Sequence, residues 1–382
     1  MRLDSPYVIA PVATGGVQAI PRHELSLDTV LNSGGYATVH LGSWRRSTVP
    51  VIIKALRPGR VSVDNELQVL STLRHPRVLS LIGKCSDLAP AEGSLGLVTE
   101  YMARGSLFQV LEHARSAKAA SSGVGSGGSE GFNITSLRSR LMIAVDITSG
   151  MRYLHANGLV HRDLKSPNVL IDSSGRAKVA DFGLSTFKQD STRVTGVIGT
   201  FAWSSPESFD DEGIRDSSDV YSFGVVLWEL FTGEEPWAKK TPNQIMKAIG
   251  KGDRPPIPPA SEIVPDTVCR MMAACFSAAP DSRPTFERLN SGLTPMLMQQ
   301  IEATATLPTS HLCPISLERM TDPVKCSDGF TYDRVCIDSW LRSSNLSPVT
   351  NAPLPNRTLT PDLALRAEIS RQPPPPPPSA RK

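Results

Sequence analysis

One stretch of this 382-residue chain constrains it more than any other: HRDLKSPNVLIDSSGRAKVADFG, from His161 to Gly183. Asp163 follows a His-Arg pair and precedes Lys165 and the amide Asn168; a second acid, Asp181, opens a Phe-Gly turn. The set holds oxygen donors suited to a hard divalent cation, a carboxylate able to accept a proton, and an ammonium to meet negative charge. Such groups are useful together only if the fold converges them in one cleft.

The string matches the pattern H-R-D-L-x-x-x-N followed by D-F-G and resembles the protein-kinase family. The resemblance implies a two-lobed α+β fold and phosphoryl transfer from ATP with Mg²⁺. Asp163 would accept the proton of the substrate hydroxyl, Asn168 and Asp181 would hold Mg²⁺, and Lys165 would meet charge on the transferred phosphoryl group. Upstream, Leu31-Asn32-Ser33-Gly34-Gly35-Tyr36-Ala37-Thr38-Val39 resembles the family's glycine-rich loop. Gly34 and Gly35 would let backbone N–H groups approach the phosphates, with Leu31 and Val39 in the same nucleotide-binding set. Asn32 and Ala37 stand where the family has its first and third glycines, and a plain hairpin turn is the alternative for this stretch taken alone.

Val51-Ile52-Ile53-Lys54 stands in place of V-A-I-K, so Lys54 is expected on a strand and Glu66 on the next helix as its partner. The bland alternative for the two is a surface ion pair. Thr99 would set the depth of the adenine pocket, and Glu100 to Met102 would offer backbone groups to the purine. Further on, Ser205-Pro206-Glu207 replaces A-P-E, Asp219 opens a helix, and Arg283 is expected to pair with Glu207. These three read as fold-holding residues. The resemblance covers roughly residues 25–298 and is closest to the tyrosine-kinase-like group of serine/threonine kinases. Lys165 and Thr200 match the Ser/Thr pattern, and Arg162 suggests a segment switched by phosphorylation at Ser191, Thr192 or Thr195.

The remaining organisation follows from local composition. Residues 1–23 read as a flexible lead-in, 24–298 as the kinase domain, 116–131 as a flexible insertion, and 299–307 as a polar linker. VHLGSW, VPVIIKAL and LGLVTEYM read as strands. Leu137, Leu141, Ala144, Val145 and Met151 share a helical face, and Phe223–Leu230 reads as a helix buried on most sides. With 40 Lys+Arg against 37 Asp+Glu, the net charge of +3 argues for neither nucleic acid nor a charged membrane surface. No run reaches the ~18 apolar residues of a membrane span. Asp4 and early prolines interrupt any secretory leader. The six cysteines form no Cys-x-x-Cys pair and read as reduced thiols, so a cytoplasmic setting with a nuclear share left open is expected.

Residues 308–372 contain CPIS, DPV, GFTYDR, IDSWL, SPVTNAPL and LTPDLALR. Cys313, Cys326 and Cys336 are spaced wrongly for a tetrahedral zinc site, so no zinc is expected. The motifs resemble the U-box, a metal-free relative of the RING domain. The resemblance implies a ubiquitin ligase that docks a ubiquitin-conjugating enzyme through an exposed apolar patch of Ile315, Trp340 and Pro348, with Asn351 beside the donor ubiquitin. Polar groups at Ser316, Glu318, Asp328, Asp333 and Arg334 would replace the metal as cross-braces. Asn351 and Asp362 depart from the family, which commonly has a cation and an Asn there. The Pro373–Pro378 tail fits either a solvated spacer or docking to a polyproline-binding protein. Taken together, the residues point to a Ser/Thr kinase acting on protein substrates, fused to a ubiquitin ligase. The alternative is a pseudokinase that recruits substrate to the ligase.

Overall fold

The computed structural model describes residues 17–33, 37–45, 49–56, 61–89, 94–120, 132–187, 201–209, 214–304, 308–316, 319–341, 345–350 and 352–371. The first lobe is an antiparallel sheet of β1 (Leu25–Ser33), β2 (Ala37–Trp44), β3 (Pro50–Leu56), β4 (Leu81–Ala89) and β5 (Ser94–Glu100), in the order β1-β2-β3-β5-β4. One helix, α1 (Val61–Thr72), lies between β3 and β4 in the chain.

β3 shows how the sheet is built. Side chains alternate in direction along it, so Val51 and Ile53 go to one face with Ile82, Val98, Ile20 and Leu25. Leu56 goes to the other, with Ala37, Leu97 and the α1 residues Val69 and Leu70. Val39 lies opposite Lys54, and Lys54 opposite Leu97, so Lys54 is carried on the α1 side of the sheet. β1 and β4, which have weaker alternation, are not among the strands expected from sequence.

The second lobe contains α2 (Leu107–Ala120), α3 (Leu137–Ala156), β6 (Leu159–Val160), β7 (Val169–Ile171), β8 (Ala177–Val179), β9 (Thr186–Phe187), α4 (Asp216–Thr232), α5 (Pro242–Gly250), α6 (Asp266–Cys275) and α7 (Phe286–Thr304). Ser136 caps α3, its Oγ accepting from Ser139 N–H at 3.1 Å. α4 is buried on nearly every side from Ser218 to Phe231, as its near-continuous apolar run demands, and ends at Gly233 with φ +75°.

Two boundaries differ from expectation. α2 continues through Ala120, five residues into the stretch read as an insertion; residues 121–131 lie outside the described residues. α7 continues through Thr304, so the supposed hinge is helical over 299–304. Leu289, Leu293, Leu297 and Ile301 recur every four residues and are all buried in the main core, which keeps the helix docked despite its polar C-terminal sequence.

The C-terminal unit pairs β10 (Pro323–Lys325), β11 (Thr331–Asp333) and β12 (Thr360–Pro361) in the order β11-β10-β12, with helices α8 (Arg334–Leu341) and α9 (Leu363–Arg371). Its own core includes Cys313, Val324, Tyr332, Ile337 and Ile369. Among the described residues no helix is long and apolar enough to cross a membrane.

Candidate active site

The loop after β6 is fixed from below. Asp219, buried on α4, accepts the N–H groups of His161 and Arg162, both at 2.8 Å, and lies 2.8 Å from His155 Nε2. Burial opposes its ionisation, but the His155 contact and the backbone donor outweigh this and hold its pKa below the usual carboxylate value. Those bonds keep Arg162 at φ +69°, a left-handed conformation that costs a non-glycine residue about 1 kcal/mol or more. Asp181 is likewise left-handed, at φ +64°. The two segments are tied together: His161 Nε2 lies 3.1 Å from Ala180 O, and Ala180 N–H donates to Asn168 O at 2.9 Å.

On this loop Lys165 Nζ lies 3.0 Å from Asp163 Oδ1 and 2.8 Å from Oδ2. Asn168 Nδ2 donates to Asp163 Oδ2 at 2.9 Å and to Asp163 O at 2.8 Å, so Oδ1 is the amide atom able to ligate a cation. Across the cleft, Lys54 Nζ donates to both Glu66 oxygens at 2.8 Å and to Asp181 Oδ1 at 3.4 Å. The Glu66 side chain is 8% exposed, which rules out a surface pair. Burial disfavours the Lys54 ammonium, yet Glu66 and Asp181 overcome this and raise its pKa. Partial desolvation in the cleft also opposes Asp181 ionisation, but Lys54, His161 and Lys165 together lower its pKa. Asp181 is thus a charged carboxylate with its side chain 47% exposed, and with Asn168 Oδ1 it forms a hard-oxygen donor set that fits Mg²⁺.

The proposed nucleotide-binding residues are distributed as follows. Leu31 is exposed on β1, Val39 shares the Lys54 face, Thr99 is buried near the end of β5, and Met102 is buried just beyond it. Gly34 and Gly35 lie outside the described residues. The Glu100 carboxylate is spent on Lys178 Nζ, at 2.7 Å to each oxygen, and on Ser80 N–H at 2.8 Å. No sequence signal points to that partner, because Lys178 arrives from β8 in the other lobe.

Glu229 is a second contact missed from sequence. Its carboxyl, fully enclosed in α4, accepts Ser166 Oγ–H at 2.8 Å and Trp203 Nε1–H at 2.7 Å, and so braces the Asp163 loop. Burial outweighs these bonds and pushes its pKa up to about 8 from 4.5. A raised carboxyl pKa means the native state holds the extra proton, so its stabilising contribution is complete below pH 4.5 and is lost as pH rises towards 8. Between pH 6 and 8 the loss is roughly 2 kcal/mol. Glu229→Gln keeps both bonds without a titrating proton, so in thermal scans its Tm should fall a few degrees less than wild type over that interval. Equal falls would show that the carboxyl ionises without penalty.

Arg283 and Glu207 form the expected pair, both buried, with Nη1–Oε1 2.6 Å and Nη2–Oε2 2.9 Å. Ser191, Thr192, Thr195 and Thr200 lie outside the described residues.

In the C-terminal unit Asp328, Asp333 and Arg334, three of the five expected polar braces, make such bonds. Asp333 accepts from Thr321 N–H (2.6 Å), Thr321 Oγ1 (3.0 Å) and Asp322 N–H (3.2 Å). Arg334 Nε donates to Asp322 at 2.7 Å, and Tyr332 donates its hydroxyl to Asp328 at 2.7 Å. Asp362, for which sequence named no partner, caps α9: Oδ1 accepts Leu365 N–H at 3.0 Å and Oδ2 accepts Thr331 Oγ1 at 3.2 Å. The expected exposed patch is a correction. Trp340 is 5% exposed and Ile315 and Pro348 are half-buried, because the unit's own core and, across the junction, His75, Arg77 and Arg152 lie against them. Glu318, Asn351 and the Pro373–Pro378 tail lie outside the described residues.

Family models match two segments: protein tyrosine and serine/threonine kinase over residues 25–293, and U-box domain over 307–372. The chain is 34% identical over 290 residues to the serine/threonine-protein kinase CTR1 of Arabidopsis thaliana, covering 74% of this chain and 33% of that protein. It is 34% identical to the probable serine/threonine-protein kinase drkA of Dictyostelium discoideum over 276 residues, 70% of this chain and 39% of that one. It is also 34% identical to the human tyrosine-protein kinase TXK over 279 residues, 71% and 48% respectively. The chain therefore spans about a third to a half of the length of these relatives.

Proposed function

Because the chain belongs to the protein tyrosine and serine/threonine kinase family and carries a U-box domain over residues 307–372, we propose that it phosphorylates protein serine or threonine with ATP and Mg²⁺. We also propose that it transfers ubiquitin by docking a ubiquitin-conjugating enzyme. The observation that carries the first half is the pairing, in one cleft, of Lys54–Glu66–Asp181 with Asp163–Lys165–Asn168. Lys54 holds the nucleotide phosphates, Thr99 bounds the adenine site, and Asn168 and Asp181 hold Mg²⁺. The cation neutralises charge on the phosphates when bound. Asp163 takes the proton from the attacking hydroxyl, and Lys165, already paired with Asp163, faces the charge that develops. Lys165 supports a serine or threonine acceptor over tyrosine.

The ligase half requires no covalent intermediate on this chain. Ile315, Trp340 and Pro348 receive the conjugating enzyme, and ubiquitin passes from that enzyme to substrate. The departures at Asn32 and Ala37 favour a second reading, a pseudokinase that recruits substrate. The intact Lys54, Glu66, Asp163, Asn168 and Asp181 favour the first.

Incubating the full chain with ATP/Mg²⁺, a generic protein substrate, ubiquitin and its activating and conjugating enzymes tests both halves. Asp163→Asn should abolish phosphate incorporation and spare ubiquitin transfer; Ile315→Ala should do the reverse. Ubiquitin transfer with no phosphate incorporation by the unmodified chain would select the second reading.

A further inference from the structure

The U-box face expected to receive the conjugating enzyme is turned onto the kinase domain. Ile315 O accepts from Arg77 Nη2 at 2.8 Å, Ser316 O accepts from Arg176 Nη1, and Pro348 O lies 3.5 Å from Arg152 Nη2. The Trp340 ring meets His75 edge-on, with centroids 5.0 Å apart, and His75 in turn stacks on Tyr153 at 4.8 Å. Ile315, Trp340 and Pro348 are thus all engaged by the segment before β4, by α3 and by the β7–β8 turn.

The kinase side is built as a socket. Arg77, Arg152 and Arg176 are each less than 10% exposed. Arg77 and Arg176 both reach the single buried carboxylate of Asp146, at 2.9 and 2.7 Å. A guanidinium carries five donors, and two of them crowded on one carboxylate leave N–H groups to be satisfied elsewhere. The U-box carbonyls of Ile315 and Ser316 supply those acceptors. Burial and the neighbouring Arg176 charge press the Arg77 pKa down to about 10, which reflects how closed the junction is.

We propose that this arginine socket and the conjugating enzyme compete for one face of the U-box, so that the chain keeps its ligase shut until the two domains part. The proposal rests on the ligase reading of the C-terminal domain and names its regulation. Two proteins cannot occupy the same Ile315–Trp340–Pro348 surface together. Three residues join Thr304 to Pro308, so the socket acts at the high effective concentration of a short tether. A chain that is open a tenth of the time binds its enzyme about tenfold more weakly than an open chain.

The test measures affinity of the full chain for a ubiquitin-conjugating enzyme by calorimetry, with hydrogen exchange as a second readout. The double variant Arg77→Ala, Arg152→Ala removes two socket contacts, gives up the Arg152 pair with the half-exposed Glu287, and leaves Arg176 to hold Asp146. It should bind the enzyme about tenfold or more tightly, and discharge ubiquitin correspondingly faster. Its phosphate incorporation reports that it has folded. In the unmodified chain, saturating enzyme should speed exchange over residues 73–79, where Arg74 N–H is held by the Tyr153 hydroxyl and Arg77 N–H by His75 Nδ1. Equal affinities for the folded variant and the parent, or unchanged exchange over 73–79, would overturn the proposal. Binding by neither chain, with exchange over 73–79 rising in the variant, would overturn the ligase reading and the competition with it.

Discussion

Asp163→Asn should lower phosphorylation of a serine peptide by about 10²–10⁴-fold while nucleotide affinity stays near the wild-type value. The Asp163 oxygens accept from Lys165 Nζ and from Asn168 Nδ2. An amide at 163 has one acceptor for these two donors and presents an NH₂ group to one of them. The position thereby loses its basicity and also its alignment with Lys165 and Asn168. Lys54, Glu66 and Asp181 are paired with one another rather than with residue 163, and Asn168 keeps its 2.8 Å bond to the 163 carbonyl, so the fall belongs in kcat rather than in the KM for ATP. Steady-state rates at saturating ATP, paired with a direct nucleotide-binding measurement, separate the two. A kcat within threefold of wild type would show that the hydroxyl proton leaves by another route.

Arg283→Ala should cost about 3–5 kcal/mol of folding stability, the range found when one partner of a buried ion pair is removed. Besides its paired bonds to Glu207, Arg283 donates to Ser217 O at 2.9 Å and to Ser277 O at 3.0 Å, and it lies over the Tyr221 ring at 5.2 Å. Without it, Glu207 keeps the Ser218 hydroxyl at 2.8 Å as a remaining donor, a poor match for a buried charge. Burial already works against the Glu207 carboxylate, and the Arg283 bonds are what hold its pKa below 4.5. A thermal scan should show a Tm lower by roughly 10 °C. Adding Glu207→Gln should recover part of the loss, since the stranded charge is then absent. A single variant with an unchanged Tm would mean the pair contributes nothing that packing does not replace.

The parts of the candidate site written in contiguous strings were the legible ones. Asp163, Lys165 and Asn168 fall within one turn of chain, so their spacing carries their geometry, and Lys54 and Glu66 are linked by one strand and one helix. Arg283 and Glu207 are distant in sequence, yet each lies in a recognisable string. Glu100 with Lys178 and Glu229 with Ser166 and Trp203 are different. Their partners come from elements that meet only after the lobes pack, and a lone acid in a strand or an apolar helix has no local signature. The reach of α7 could have been read, because Leu289, Leu293, Leu297 and Ile301 keep step to its end; polar residues at 299–304 masked that stripe. The loss of the exposed Ile315–Trp340–Pro348 patch could not have been read, since it depends on one domain meeting another.

The continuation of α7 to Thr304 also sets a length scale. From there to Pro308 the backbone can stretch about 14 Å at most. A U-box leashed so closely swings like a door on a hinge rather than roaming on a rope. On the ligase reading proposed above, acceptor lysines on a bound client would have to present themselves near the flank of the helical lobe, so that the client's own shape would help decide which of its side chains are marked.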